Sequence, residues 1–151
     1  MAELPGAVLF ACNFNRVRSP MAEALMKLAY GDKVFVDSVG LKHEEGQDEV
    51  DPFAAAVIDE LGGDLTGFHP KTFAELEDES FDVVISLTPE AQHRAVEIAR
   101  EHAVDIEYWP TFDPTLVTGS REQILAAYRE VRDELARRIE ERFGRPSTFG
   151  G

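Results

Sequence analysis

Four short apolar runs, separated by longer amphipathic stretches, set the pattern of this chain. AVLFAC (7–12), KVFVDSVG (33–40), FDVVISLT (81–88) and DIEYWP (105–110) are rich in β-branched and aromatic residues, which predicts strands. The first is continuously apolar, as a strand buried on both faces is. Between the runs the apolar period lengthens toward that of a helix. After Pro20, the residues Met21, Leu25, Leu28 and Ala29 fall on one helical face that Gly31 ends. Asp51-Pro52 reads as an N-cap with proline at the first helical position. A buried stripe of Phe53, Val57, Ile58 and Leu61 follows, and Gly62-Gly63 stop it. Thr72 with Glu75 forms a capping box for a short helix, and Thr88-Pro89-Glu90 opens one that runs to about His102. Ser120 with Gln123 caps a last helix carrying Ile124, Tyr128, Val131, Leu135 and Ile139. Residues 63–73 and 111–119 read as loops, and 144–151 as a frayed tail.

Strands that alternate with helices predict an α/β protein with a parallel sheet. The expected architecture is a single three-layer domain over 1–151, with a four-stranded parallel sheet in the flavodoxin-like order 2-1-3-4. In such sheets ligands sit beyond the carboxyl ends of the strands, where the order reverses. That rule points to the loop after the first strand.

Composition narrows the function classes. The 151 residues carry a net charge of −14, which argues against nucleic acid as a partner. The same charge repels anionic substrates at long range, so an oxyanion pocket must work through local groups. No apolar run reaches the length of a membrane span. The N-terminus has Glu3 and no early Lys or Arg, unlike a signal peptide. One cysteine forms no internal disulfide, which fits a reducing cytoplasm. The four histidines show no metal spacing, and His93 and His102 sit on a predicted polar helix.

That single cysteine lies where the sheet rule places a ligand. Cys12 is followed by five residues and then Arg18-Ser19, a C-x5-R-S pattern at a strand-to-helix turn. A loop of this length can aim successive backbone N–H groups at a tetrahedral anion. The helix start adds its own N–H groups and the positive end of its dipole. Arg18 offers a planar fork for two oxygens, and Cys12 at the base is favoured as a thiolate nucleophile. The loop residues Asn13, Phe14, Asn15, Arg16, Val17, Arg18 and Ser19 are thus the expected anion-binding set. Asn15 suits a positive φ that holds the loop's shape. Ser19 either hydrogen-bonds the thiolate or caps the helix. The plainer alternative is that Cys12 is a small buried core residue.

A thiolate attacking a phosphate ester needs a proton donor for the departing oxygen. Asp113 is the first choice, because it lies in the loop after the fourth strand and Pro114 stiffens it. Asp51 ranks second, since a capping side chain is already committed. Asp113 also has a plainer reading, as a turn-forming residue.

Taken together, Cys12, Asn15, Arg18, Ser19, Pro20, Ala22 and Glu23, with the late Asp113-Pro114, resemble the low-molecular-weight protein tyrosine phosphatases and the arsenate reductases sharing their fold. The resemblance spans essentially the whole chain. It implies that Cys12 attacks phosphorus while Arg18 and the amides of 13–18 hold the oxygens. It further implies that Asp113 protonates the leaving oxygen and then activates water, with no metal or cofactor. Three departures stand out. Phe14 replaces the family's usual glycine and must either alter the loop dihedrals or project into the pocket mouth. Val17 stands where many members have a second cysteine. Thr115 and Leu116 replace the aromatic residues that wall a phosphotyrosine ring, leaving Phe14, Phe112 or Trp109 as substitutes.

Three functions follow, in this order. The first is a phosphomonoesterase acting on phosphotyrosine (as a phosphorylated protein) or a small aryl phosphate through a phosphocysteine. The second is an arsenate reductase that draws on an external thiol or a glutaredoxin-like partner, since the chain has no resolving thiol. The third is a non-catalytic oxyanion-binding module.

Overall fold

The four apolar runs become the strands of one parallel sheet in the computed structural model, which describes residues 4–76 and 80–144. The strands are β1 (Ala7–Cys12), β2 (Phe35–Gly40), β3 (Val83–Ser86) and β4 (Asp105–Tyr108). They lie in the order β2-β1-β3-β4, and every neighbouring pair is parallel. This matches the expected α/β architecture and strand order. The continuous apolarity of β1 is explained by its central place. Val8, Phe10 and Cys12 enter one core and Leu9 and Ala11 the other, and none is more than 3% exposed.

Four helices cover the sheet: α1 (Arg18–Tyr30), α2 (Pro52–Asp59), α3 (Pro89–Ala99) and α4 (Arg121–Phe143). α1, α2 and α4 pack on the Val8–Phe10 face, and Ala91 and Ala95 of α3 pack on the Leu9–Ala11 face. Side-chain caps begin three of them. Asp51 accepts from the amides of Phe53 and Ala54, Thr88 from Ala91, and Ser120 from Gln123. The Thr72–Glu75 box caps a single 3-10 turn. Among the described residues no helix is long and apolar enough to cross a membrane.

The structure departs from the sequence pattern at several edges. α1 begins at Arg18, two residues before Pro20, because a first-turn proline gives up only an N–H that has no helical partner. α3 ends at Ala99 rather than near His102, and His93 and His102 are both exposed. Two expected core leucines are exposed instead, Leu28 at 42% and Leu61 at 47%. α1 is packed by the sheet on one side and α4 on the other, so Met21, Ala22, Leu25 and Met26 take the interior positions. α2 ends at Asp59, so Leu61 falls beyond its helical period. Residues 145–151 of the expected tail, and 77–79 of the acidic stretch, lie outside the described residues.

Candidate active site

Cys12 ends β1, and the chain turns through residues 13–17 before α1 starts at Arg18. The turn depends on Asn15, whose φ of 57° is the one positive value at a non-glycine position among the described residues. The carbonyls of this loop are spoken for on its packed side. Cys12 O and Asn13 O accept from the amide of Leu41, Asn13 O also from Lys42, and Arg16 O from Asp51. In a trans peptide the next residue's N–H points opposite to the carbonyl. The amides of Asn13, Phe14 and Val17 are therefore turned away from that packed side. α1 itself has no side-chain cap, so its first-turn N–H groups also remain open to an anion. Close approach of β2 makes the loop possible: a Cβ on Gly40 would lie 2.7 Å from both Asn15 N and Phe14 C.

Behind the loop runs a buried polar chain. Asn15, Ser19 and Ser38 are each wholly buried. Lys71 N donates to Asn15 Oδ1 at 2.9 Å, which fixes the orientation of the amide. Asn15 Nδ2 then donates to Ser19 Oγ at 2.8 Å and Ser38 Oγ at 3.0 Å. Ser38 Oγ donates in turn to Glu23 Oε1 at 2.7 Å, and Lys27 pairs with the other Glu23 oxygen at 2.6 Å. With one lone pair of Ser19 taken by Asn15, its hydroxyl is left facing Cys12 Sγ at 2.9 Å and Val39 O at 3.4 Å. Of the two sequence readings for Ser19, contact with the sulfur is the one observed. Ser38, Gly40 and Lys71 carry no local signal that sequence reading could use. Glu23 enters the resemblance without a role.

Above Cys12 lies a cleft of about 330 Å³ whose walls include Phe14, Arg16, Val17 and Arg18 of the loop and Asp113, Pro114 and Thr115 opposite. Arg18 Nη1 donates to Thr111 O at 2.9 Å, and its Nη2 lies 3.8 Å from Asp113 Oδ2. Asp113 Oδ1 accepts from Thr115 N at 3.0 Å and Thr115 Oγ1 at 2.6 Å. Asp51 also lines the cleft, but both of its oxygens are engaged: Oδ1 caps α2 and Oδ2 accepts from Tyr128 Oη at 3.0 Å. Burial, then the charge of Asp51, raise the Tyr128 phenol and keep it a donor.

The remaining loop side chains divide between cleft and scaffold. Phe14 projects into the cleft, with Lys42 Nζ 5.9 Å from its ring centroid, and the left-handed position falls on Asn15 instead. Arg16 borders the cleft with its guanidinium held by the neighbouring loop, pairing with Glu44 at 2.8 Å and donating from Nε to Glu49 O at 2.8 Å. Asn13 Oδ1 accepts from Thr88 Oγ1 at 2.7 Å and ties the loop to α3. Val17 is buried. Trp109 packs in the core against Phe10 and Phe143, and Phe112 is 58% exposed and outside the cleft. The aromatic walls come from Phe14, Phe53 and Tyr128, the last two with ring centroids 5.4 Å apart.

Sheet order and loop together define the class, an α/β protein with a C-x5-R-S loop at the switch point of a 2-1-3-4 sheet. The chain belongs to the low molecular weight phosphotyrosine protein phosphatase family, whose sequence model matches residues 7–144. It is 31% identical over 133 residues to a glutaredoxin arsenate reductase of Synechocystis sp., covering 88% of this chain and 92% of that protein. Among solved structures, an arsenate reductase in its oxidized state superposes with a TM-score of 0.72 at 28% identity, covering 91% and 96% of the two chains. The low molecular weight protein tyrosine phosphatase of T. tengcongensis gives 0.72 at 25% identity, covering 89% and 95%.

Proposed function

We propose that this chain is a cysteine-dependent phosphomonoesterase acting on phosphotyrosine or a small aryl phosphate. The observation that carries the reading is the placement of Arg18 and Asp113 in one cleft with Cys12, Nη2 and Oδ2 3.8 Å apart. Cys12 Sγ attacks phosphorus, the P–O bond to the leaving group breaks, and Asp113 gives its proton to that oxygen. Water then attacks the phosphocysteine and passes its proton to Asp113, and the S–P electron pair returns to sulfur. Arg18 and the amides of 13–18 hold the charged oxygens throughout. Everything this cycle needs besides substrate and water is in the cleft. Phe14 and Phe53 offer the ring surface that the residues after Asp113-Pro114 do not. The match over 7–144 supports reading the chain as one domain, and a thiol nucleophile suits the reducing cytoplasm.

The printed names of the relatives favour a second reading, arsenate reduction. It shares the first step, with Cys12 attacking arsenic and hydroxide leaving. An outside thiol must then attack Cys12 Sγ, so that the S–As electron pair leaves with arsenite. A further thiol reduces the resulting mixed disulfide. The one cysteine of this chain cannot supply those electrons, so the reading requires a small thiol or a glutaredoxin-like partner.

Aryl phosphate hydrolysis and arsenate reduction with glutathione and glutaredoxin, run side by side on wild type and Cys12→Ser, separate the two. Cys12-dependent phosphate release without arsenate turnover is the expected result. Thiol-dependent arsenate turnover without phosphate release would replace the first reading with the second. Neither activity, with phosphate still bound, would leave an oxyanion-binding module.

A further inference from the structure

We propose that Thr115 is a positioning residue whose backbone N–H and hydroxyl together hold Asp113 Oδ1, so that Oδ2 carries the acid proton and the hydroxyl steadies the carboxylate left behind, an inference that rests on the phosphomonoesterase reading. Thr115 occupies a position where the resemblance leads one to expect an aromatic wall, and the structure gives it a different task. Its Oγ1 lies 2.6 Å and its backbone N 3.0 Å from the same oxygen, Asp113 Oδ1. The second oxygen, Oδ2, faces Arg18 Nη2 at 3.8 Å. Pro114 is buried and holds Asp113 in extended backbone at the edge of the cleft.

Two donors converging on Oδ1 decide where a proton can sit. A carboxylic acid carries one proton, and on Oδ1 it would confront the Thr115 N–H, which cannot turn away. The acid proton is therefore confined to Oδ2, the oxygen on the Arg18 side where the anion binds. As the leaving oxygen takes that proton, Asp113 becomes a carboxylate. The Thr115 hydroxyl bond then becomes charge-assisted and stronger. The interaction grows along the reaction coordinate, which lowers the barrier rather than tightening substrate binding. In the second half of the cycle Oδ2 is again the oxygen aimed at the cleft, and it accepts the proton of the attacking water. The backbone N–H of Thr115 suffices to cap the short turn at Pro114–Leu116; the hydroxyl is the additional element.

The test compares wild type, Thr115→Val, Thr115→Ser and Asp113→Ala on aryl phosphates with good and poor leaving groups. Thr115→Val keeps the shape and removes the donor. It should lower kcat on phenyl phosphate by about tenfold and on nitrophenyl phosphate by less than about twofold, with KM unchanged. Thr115→Ser should restore the wild-type dependence on the leaving group. A Thr115→Val enzyme that follows wild type across the series, while Asp113→Ala remains steeply dependent, overturns the role of Thr115 alone. Equal losses on both substrates without rescue by serine would make Thr115 a structural residue. A wild type without Cys12-dependent hydrolysis removes the underlying reading, and this role with it.

Discussion

Arg18 Nη2 and Asp113 Oδ2 stand 3.8 Å apart across the cleft mouth, joining the loop after β1 to the loop after β4. At that separation and partial exposure the pair adds at most about 1 kcal/mol of stability. Its consequence under the proposed mechanism is chemical, because guanidinium and carboxyl line the same cleft as Cys12. Asp113→Ala should therefore lower kcat/KM on phenyl phosphate by about a hundredfold or more, and on nitrophenyl phosphate by about tenfold or less. Steady-state kinetics on both substrates checks this. Equal losses would move the acid role away from Asp113.

The polar chain behind the loop should act on both stability and rate. Asn15→Ala takes the acceptor from the Lys71 amide and a donor from each of Ser19 and Ser38, and places alanine at a φ of 57°. The expected cost is roughly 2–4 kcal/mol of unfolding free energy, since buried groups lose their partners. Urea unfolding measures it. The rate should fall in addition, in conditions where the variant stays folded, because Ser19, whose hydroxyl touches Cys12 Sγ, loses the bond that holds it in place.

Gly40 is the point where β2 meets the loop. Gly40→Ala puts a methyl 2.7 Å from the backbone of Phe14 and Asn15, so the loop has to shift. Phosphate affinity and turnover should both drop severalfold or more, because the amides no longer converge. Phosphate titration by calorimetry reads this. Unchanged affinity would show that the loop amides do not form the anion site.

Far from the cleft, α2 and α4 are clamped by Glu60. Arg129 and then Arg132 hydrogen-bond its carboxylate and hold it down at about 2, below its usual 4.5. A depressed carboxylate stabilises the fold above its unfolded pKa and loses that contribution as pH falls toward the folded value. The melting-temperature gap between wild type and Glu60→Gln should therefore be largest near neutrality and close between about pH 4.5 and about pH 2. A gap independent of pH would contradict it.

The parts of this molecule legible in the sequence are those written by near neighbours. The β1 run, the caps at Asp51, Thr88 and Ser120, and the left-handed Asn15 all depend on residues within a few positions. So does the Cys12–Arg18 loop. What stayed hidden depends on tertiary approach. Ser38 and Lys71 reach Asn15 across 23 and 56 residues. Phe53 and Tyr128 become cleft walls only because α2 and α4 pack beside the loop. Periodicity gave Leu28 and Leu61 a face but not the neighbours that would cover it.

The central claim is a covalent bond between phosphorus and Cys12, and it can be seen directly. Under the proposed mechanism Asp113→Ala should slow breakdown of the phosphocysteine by removing the base, while nitrophenolate needs little help to leave. Acid-quenched Asp113→Ala after mixing with nitrophenyl phosphate, analysed by intact-protein and peptide mass spectrometry, should carry one phosphoryl group on Cys12 and none in the Cys12→Ser double variant. Nitrophenolate release without any such adduct, or an adduct on another residue, would contradict the assignment of Cys12 as the nucleophile.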